Sequence, residues 1–374
     1  MKAVMLVGGF GTRLRPLTLH VRKELMPVAN RPFLEHVLAH LAKHGVEEAI
    51  LTTGYMAEAY EAFPRELTHG VKLTVVKEEE PLDTCGAVKN VEDMLDGSFL
   101  VLNGDIFTDL DISSLITYHR ERETLGTLTL TPVDDPSAYG LVPIDDDGRI
   151  ERFIEKPQPS EIITNLINAG TYVLEPEILN YVPTGQPFSF ERTKEGGLFP
   201  LLLAEGEALY GFVSQDYWLD IGTPQKYLQA NRDALGRMVG MEPPGVQSGD
   251  NIWVGRGVTI DPTARIVGPA VIGDDTVIEG GAVVGPLTCL GPSCVVREEA
   301  SVQGSVLHDE VAVYSRAQVS GSVLATGVNV GTASRMTDAV IGAGVKVGAE
   351  NELAGGIRVW PGTDLPDKGI TFSN

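Results

Sequence analysis

Gly8-Gly9-Phe10-Gly11 interrupts an apolar run, Ala3 to Val7, and leads straight into Thr12, Arg13 and Arg15, with Lys23 beyond. The apolar run predicts a short buried strand. The glycines let a ligand approach the backbone without side-chain obstruction. A hydroxyl and three cations then sit on or near one loop, an arrangement suited to a polyphosphate. Residues 1–31 hold six Lys/Arg and one acid, Glu24, whereas the whole chain carries a formal charge of −22. A positive island on an acidic protein favours a small anion over nucleic acid. Two readings stay open for the loop alone: a phosphate cradle, or a tight turn with solvated arginines. It is neither a G-x-G-x-x-G fingerprint nor a GxxxxGK[ST] P-loop.

Acids follow two other apolar stretches. LVLNGD presents Asn103 and Asp105 at the end of a strand, and WLDIGTPQKY presents Asp220 before a glycine turn. Each alone reads as a surface turn acid, as do Asp109 and Asp111. Together with a polyphosphate loop, the pair suits Mg²⁺ bridging phosphates. Two further segments look like sugar readers. Glu155-Lys156-Pro157 offers an acceptor for hydroxyls and a cation for a phosphate. Asn168-Ala169-Gly170-Thr171-Tyr172 sets an amide beside small residues that leave room for a ring. Without the other motifs these two would read as a turn and an edge strand.

These residues need a scaffold, and the 374 residues supply two patterns. Up to about Ala234, strands alternate with helices. Glu35–His44 and Leu115–Arg122 read as helices. Ala49–Thr53, Val71–Val76, Phe99–Leu102, Leu125–Pro132, Ile150–Ile154 and Ile167–Leu174 read as strands. Such alternation predicts a mainly parallel sheet with helices on both faces and ligands at the strands' carboxyl ends. Residues 235–250 are rich in Gly, Pro and polar side chains and read as a linker. From 251 to 374 the period changes. Val254, Ile260, Ile266, Ile272, Ile278, Val284, Leu290, Val296 and Val302 fall six apart. The phase slips by one near Leu307 and again before Ile341. A six-residue apolar repeat predicts a β-solenoid. Trp360 and Phe372 are read as local core, with capping or interface roles as the alternative.

Composition excludes several classes. Apolar content of 43% and charged content of 21% are those of an ordinary globular protein. No apolar run reaches the roughly 20 residues of a membrane span, and the first strand is too short for a signal peptide, so a cytoplasmic location is expected. Three cysteines give no disulfide framework or metal pattern. The acid excess argues against nucleic-acid and membrane-surface partners.

The assembled motifs resemble the sugar-1-phosphate nucleotidyltransferases, and most nearly their mannose-1-phosphate guanylyltransferase-like branch. The matching pieces are GGFGTRLRPLT, Lys23 with MPVANRP, EEEPLDTCGAVK, LVLNGDIF, AYGLV, FIEKP, NAGTYVLEPEIL and WLDIGTPQKYLQAN, which cover nearly all of residues 1–231 in family order. The resemblance implies an α/β, Rossmann-like, mainly parallel sheet in a nucleotidyltransferase domain, 1–234. It also implies a C-terminal left-handed parallel β-helix, 251–374, through which a homo-oligomer would form. Gly8, Gly9, Gly11 and Thr12 would cradle the nucleotide phosphates, with Arg13 and Lys23 catalytic. Gly86 would lie against the base. Asp105 and Asp220 would hold Mg²⁺. Gly140, Glu155, Asn168 and Gly170 would contact the sugar, and Lys156 its phosphate. The substrates would be an NTP and a sugar-1-phosphate, GTP and mannose-1-phosphate being the nearest match. The oxygen of the sugar phosphate would attack the α-phosphorus, and pyrophosphate would leave. The proposal requires Arg13, Lys23, Asp105 and Asp220 to gather about one cleft.

Two segments depart from the family pattern. Arg22-Lys23-Glu24 stands where Pro-Lys-Pro is common, and PLDTCG where PLGTAG is common. Asp83 could accept from the N–H groups of guanine or point to solvent, and Cys85 stands beside it. Three alternatives are carried: glucose-1-phosphate with dTTP or UTP, a non-catalytic regulatory relative that binds nucleotide sugar, and a solenoid that also transfers acyl groups using His308.

Overall fold

A computed structural model describes the chain except residues 55, 156, 192–195 and 372–374. Lys156 and Phe372 therefore lie outside the described residues. Compactness divides the chain into two units that interleave along the sequence. One comprises 1–10 and 37–219, the other 11–36 and 220–374. The stretch carrying Arg13 and Lys23 thus belongs with the C-terminal half.

The first unit is built on a seven-stranded sheet. Its spatial order is Leu209–Val213, Gly126–Pro132, Leu166–Leu174, Phe99–Asn103, Lys2–Leu6, Glu48–Thr53 and Lys72–Lys77. Only Leu166–Leu174 runs antiparallel to its neighbours. Strand alternation sorts the side chains. Val4, Ile50, Val101, Leu128 and Tyr172 join one buried cluster with Val88, Phe199 and Leu202, from helices Asp83–Lys89 and Leu198–Ala204. Thr127 points to the other face, where it meets His119 of helix Ile112–Arg122 at 2.9 Å. Helices therefore cover both faces, as the alternation predicts.

One expected strand is absent. Ile150 and Ile154 make only isolated bridges, to Ile144 and Leu141. The segment between them carries Glu151 and Arg152, both exposed, and does not join the sheet. Helices Glu58–Glu61, Asp83–Lys89, Leu198–Ala204 and Pro224–Leu235, and strand Leu209–Val213, are not among the elements read from the sequence. No helix among the described residues is long and apolar enough to cross a membrane.

The second unit contains three ladders of short parallel strands, each coil contributing one strand to each ladder, as in a left-handed β-helix. Inward positions stack in register: Ile272, Leu290, Leu307, Leu324, Ile341 and Val359. They form one continuous core with Ile278, Val284, Val296 and Val302. Coils of 18 residues flank three of 17, so the phase slips three times, at Leu307, Leu324 and Ile341, where the sequence pattern gave two. Each slip falls at the same corner. Gly304, Gly321 and Asp338 take positive φ there, at 55°, 58° and 54°. Buried serines satisfy the shortened turns: Ser305 Oγ accepts from Ser322 N at 3.1 Å and Ser322 Oγ from Ala339 N at 3.0 Å.

Val246–Gly249, inside the stretch read as a linker, pairs antiparallel with Ile252–Val254 and covers that edge of the first coil. Trp360 is half exposed, not core. It follows the inward-facing Val359, and strand alternation turns it outward.

One outward face of the solenoid is itself buried. Trp253, Val271, Cys289, Val306, Val323 and Val340 occupy successive rungs of one ladder, and none is more than 8% exposed. Helix Pro224–Leu235 and residues 27–31 of the same unit contribute the polar contacts along this face. Asn231 Oδ1 accepts from Ala29 N at 2.9 Å and lies 3.5 Å from Cys289 Sγ. Asn30 Nδ2 donates to Leu290 O at 2.6 Å, and Arg232 Nη2 to Gly304 O at 2.9 Å. His308 Nε2 meets Tyr227 Oη at 3.0 Å, and burial holds the imidazole down at about 4. It sits 6% exposed, packed against Tyr227 on this covered face.

Candidate active site

Arg13 and Asp220 converge on Gly222 within the second unit. An added Cβ at Gly222 would stand 2.6 Å from Arg13 Nη2 and 3.1 Å from Asp220 Oδ1. Only a glycine leaves the guanidinium its place. Asp220 Oδ1 accepts from Gly222 N at 3.1 Å, and Oδ2 pairs with Lys226 Nζ at 2.6 Å. Lys226 is delivered by the first turn of helix Pro224–Leu235, which Thr223 caps through Lys226 N. The loop carrying Arg13 turns at Gly11, whose φ is +60°. Gly11 O accepts from Leu14 N at 3.0 Å and from Thr18 Oγ1 at 2.7 Å. Thr12 and Arg13 are exposed on that loop.

Lys23 has a neighbour that the family pattern lacks. Glu24 is fully buried between Arg22 Nε at 3.7 Å and Lys23 Nζ at 3.8 Å. A carboxylate there is tolerated because two cations flank it. The departure from proline at 24 is therefore an electrostatic brace on Lys23.

In the first unit the expected sugar residues do come together. Gly140, Glu155 and Asn168 line one small cavity, with Glu191 as a further member. An added Cβ at Gly140 would stand 2.9 Å from Glu155 Oε2 and 3.8 Å from Glu191 Oε2. Asn168 Oδ1 accepts from Gly170 N at 2.9 Å, and its amide donates to Tyr172 Oη at 2.8 Å and to Glu191 Oε1. Tyr172 also donates to Glu191 Oε1, at 2.9 Å. Gly170, with φ +74°, leaves room for Asn103, whose Nδ2 would lie 2.5 Å from an added Cβ. The sugar strand is thus packed against the strand end that presents Asn103 and, two residues on, Asp105. Trp218 Nε1 ties down Ala169 O at 2.9 Å.

Glu191 was not read from the sequence, because it lies in a stretch without periodicity. Burial, and then the charge of Glu155, raise its carboxyl to about 7, against the ordering donated by Tyr172 and Asn168. The sign follows directly. A folded pKa above the unfolded 4.5 stabilises the fold below that value and is lost as pH rises to about 7. Glu191→Gln should therefore flatten the fall of melting temperature across this window, worth roughly 3 kcal/mol. Melting curves from pH 4.5 to 8 check it, and an unchanged slope would contradict it.

Gly8 stands beside a second unread acid. Glu78 is buried, its Oε2 accepts from Leu82 N at 3.1 Å, and its Oε1 would lie 3.7 Å from a Cβ on Gly8. Burial raises its pKa. Asp83 opens the next helix at φ +60° and accepts from Thr84 N at 2.8 Å. Gly86 has a structural reason of its own. An added Cβ would meet Gln186 O at 2.7 Å, and Gly86 N donates to Phe188 O at 2.9 Å. Cys85 is wholly buried in the sheet core, with its thiol pushed upward by desolvation. It is a packing residue and leaves Asp83 as the polar group of that segment.

No cluster of three or more His, Cys, Asp or Glu side chains able to hold a metal exists among the described residues. Asp105 belongs to the first unit and Asp220 to the second. Each is a hard oxygen donor of the kind Mg²⁺ takes, and Asp220 Oδ2 is paired with Lys226 Nζ at 2.6 Å.

The matches of the whole chain define its class, an enzyme of nucleotidyl transfer. The chain belongs to the nucleotidyl transferase family, whose model matches residues 2–237, and a GMPPB C-terminal domain model matches 266–370. It is 42% identical over its whole length to a mannose-1-phosphate guanylyltransferase of Mycobacterium tuberculosis, covering 98% of that protein. It is 36% identical to mannose-1-phosphate guanylyltransferase 1 of Arabidopsis thaliana, over 84% of this chain and 89% of that one. A UTP–glucose-1-phosphate uridylyltransferase of Synechocystis is 33% identical, over 84% of both. Among solved structures, HddC from Yersinia pseudotuberculosis matches with a TM-score of 0.54 and 30% identity, over 62% of this chain and 99% of that one.

Proposed function

We propose that the protein makes GDP-mannose and pyrophosphate from GTP and mannose-1-phosphate. The nucleophile arrives already ionised, so little acid–base chemistry is asked of the side chains. Gly8, Gly9, Gly11 and Thr12 bind the triphosphate through a loop open to close approach. Arg13 stabilises the charge that builds on the α-phosphoryl group, and Lys23, braced by Glu24, neutralises phosphate. Glu155 and Asn168 orient the hexose against Gly140 and Gly170, with Lys156 assigned to its phosphate. A divalent metal held by Asp105 and Asp220, proposed as Mg²⁺, would supply charge neutralisation and phosphate alignment when bound.

The observation that carries the base assignment is the acid pair by the nucleotide loop. Glu78 lies against Gly8, and Asp83 is close enough for its charge to raise the Glu78 pKa. Guanine presents two adjacent N–H donors on one edge, which a carboxylate accepts together. Uracil and thymine present one donor between two acceptors, which acids repel. The second reading, UTP with glucose-1-phosphate, rests on the uridylyltransferase relative. Association through the solenoid goes with the proposal, supported by exposed Val246 and Ile260 near its first coil. So does a cytoplasmic setting.

The test is pyrophosphate release with Mg²⁺ across five NTPs and several hexose-1-phosphates. GTP with mannose-1-phosphate should exceed every other pair by about tenfold or more in kcat/KM. A maximum at UTP with glucose-1-phosphate would replace this assignment. No turnover with any pair would make the protein a binding relative.

A further inference from the structure

Along the buried outward ladder of the solenoid, six rungs from Trp253 to Val340 are apolar or cysteine. The next rung is Arg358, in register with Val340. This is the first charge in the series, and it is exposed where its predecessors are buried. Its guanidinium has a definite destination. Arg358 Nη1 donates to Arg13 O at 2.9 Å and to Arg15 O at 2.8 Å. One cation of a late coil thus grips two carbonyls of the loop that carries the proposed catalytic arginine, across more than three hundred residues of sequence and within one compact unit.

The chemistry of the grip is specific. A guanidinium presents several donors in a rigid plane, whereas an ammonium is a flexible point charge. Arg15 O precedes Pro16, so that peptide group has no N–H of its own. Arg13 O belongs to the residue whose side chain must reach the space over Gly222. Fixing the carbonyl on both sides of Leu14 fixes the direction in which the Arg13 side chain leaves the backbone. A loop free to rock by an ångström would place Arg13 poorly for charge that develops in the transition state.

We infer that Arg358 is a positioning residue for nucleotidyl transfer, through which the solenoid holds the Arg13 loop in its working geometry. The inference rests on the assignment of Arg13 to the phosphates. Arg358→Ala should lower kcat by about ten- to a hundredfold, with a smaller change in KM for the sugar phosphate. Arg358→Lys should recover part of the loss. Because the site is exposed, millimolar guanidinium should restore turnover to Arg358→Ala. In an Arg13→Ala background the Arg358→Ala change should cost almost nothing further, since both act through one side chain. Arg335→Ala, which removes an exposed arginine of another ladder paired with Glu352 at 3.8 Å, should leave kcat unchanged.

Normal kcat in Arg358→Ala would overturn the inference. So would multiplicative losses in the double variant, or a loss that neither lysine nor guanidinium relieves. Should Arg13→Ala itself prove fully active, the underlying assignment of the phosphate loop would fall instead, which keeps the two failures apart.

Discussion

Arg13→Ala is expected to cut kcat by about 10²–10³ with little change in melting temperature. The side chain is exposed, so its removal opens no cavity. On the proposed assignment the substitution removes the cation that meets the phosphoryl group, and loss of one such donor typically costs roughly 3–4 kcal/mol of barrier. Arg13→Lys should regain only part, because an ammonium cannot reproduce the planar fork. Stopped-flow pyrophosphate release, with nucleotide affinity measured separately, distinguishes the step affected. The expected signature is a fall in kcat with a modest change in GTP binding. Full activity in Arg13→Ala would remove the loop from the chemistry.

Asp105→Asn should be at least as damaging while leaving the fold intact. The substitution keeps shape and removes one unit of charge at the end of strand Phe99–Asn103. A divalent ion neutralises several kcal/mol of developing phosphate charge, so a loss of about 10²-fold or more in turnover is expected. The Mg²⁺ concentration for half-maximal rate should rise as well. Circular dichroism and melting temperature should match the parent protein. Near-normal activity at limiting Mg²⁺ would show that Asp105 holds no metal.

Much of the scaffold was legible because it depends on period. The six-residue repeat is read directly, since every sixth side chain must fill a solenoid interior only one side chain wide. The middle phase slip, at Leu324, is a single five-residue step with the six-residue spacing resumed on either side, so the pattern alone does not flag it. Six of the seven sheet strands carry dense apolar runs and are legible to within a residue, Leu209–Val213 being the exception. Ile150–Ile154 has the right composition but makes only isolated bridges, which composition does not report.

The candidate site was legible where a backbone requirement marks the residue. Gly11 and Gly170 both have positive φ, and Gly140 and Gly222 stand where a Cβ would strike a charged side chain. Acids were harder. Glu78, Glu191 and Glu24 sit among fifty-one acidic residues, and only burial separates them from solvated ones. Arg358 had a readable signal in hindsight, as the one charged member of an otherwise apolar rung series. That signal needs the coil register, which the slips obscure.

The grip of Arg358 makes the solenoid a ruler. Residue Asn30 is pinned to the rung of Leu290, and the loop at Arg13 and Arg15 is met four strand spacings further on. At about 4.8 Å per spacing, that span is roughly 19 Å. Gaining or losing one whole turn of the spiral would leave its interior perfectly well filled. It would also carry the guanidinium nearly 5 Å past its two carbonyls, farther than any hydrogen bond can stretch. The tally of turns is thereby a dimension of the molecule, gauged against the backbone of the Arg13 loop and not free to drift.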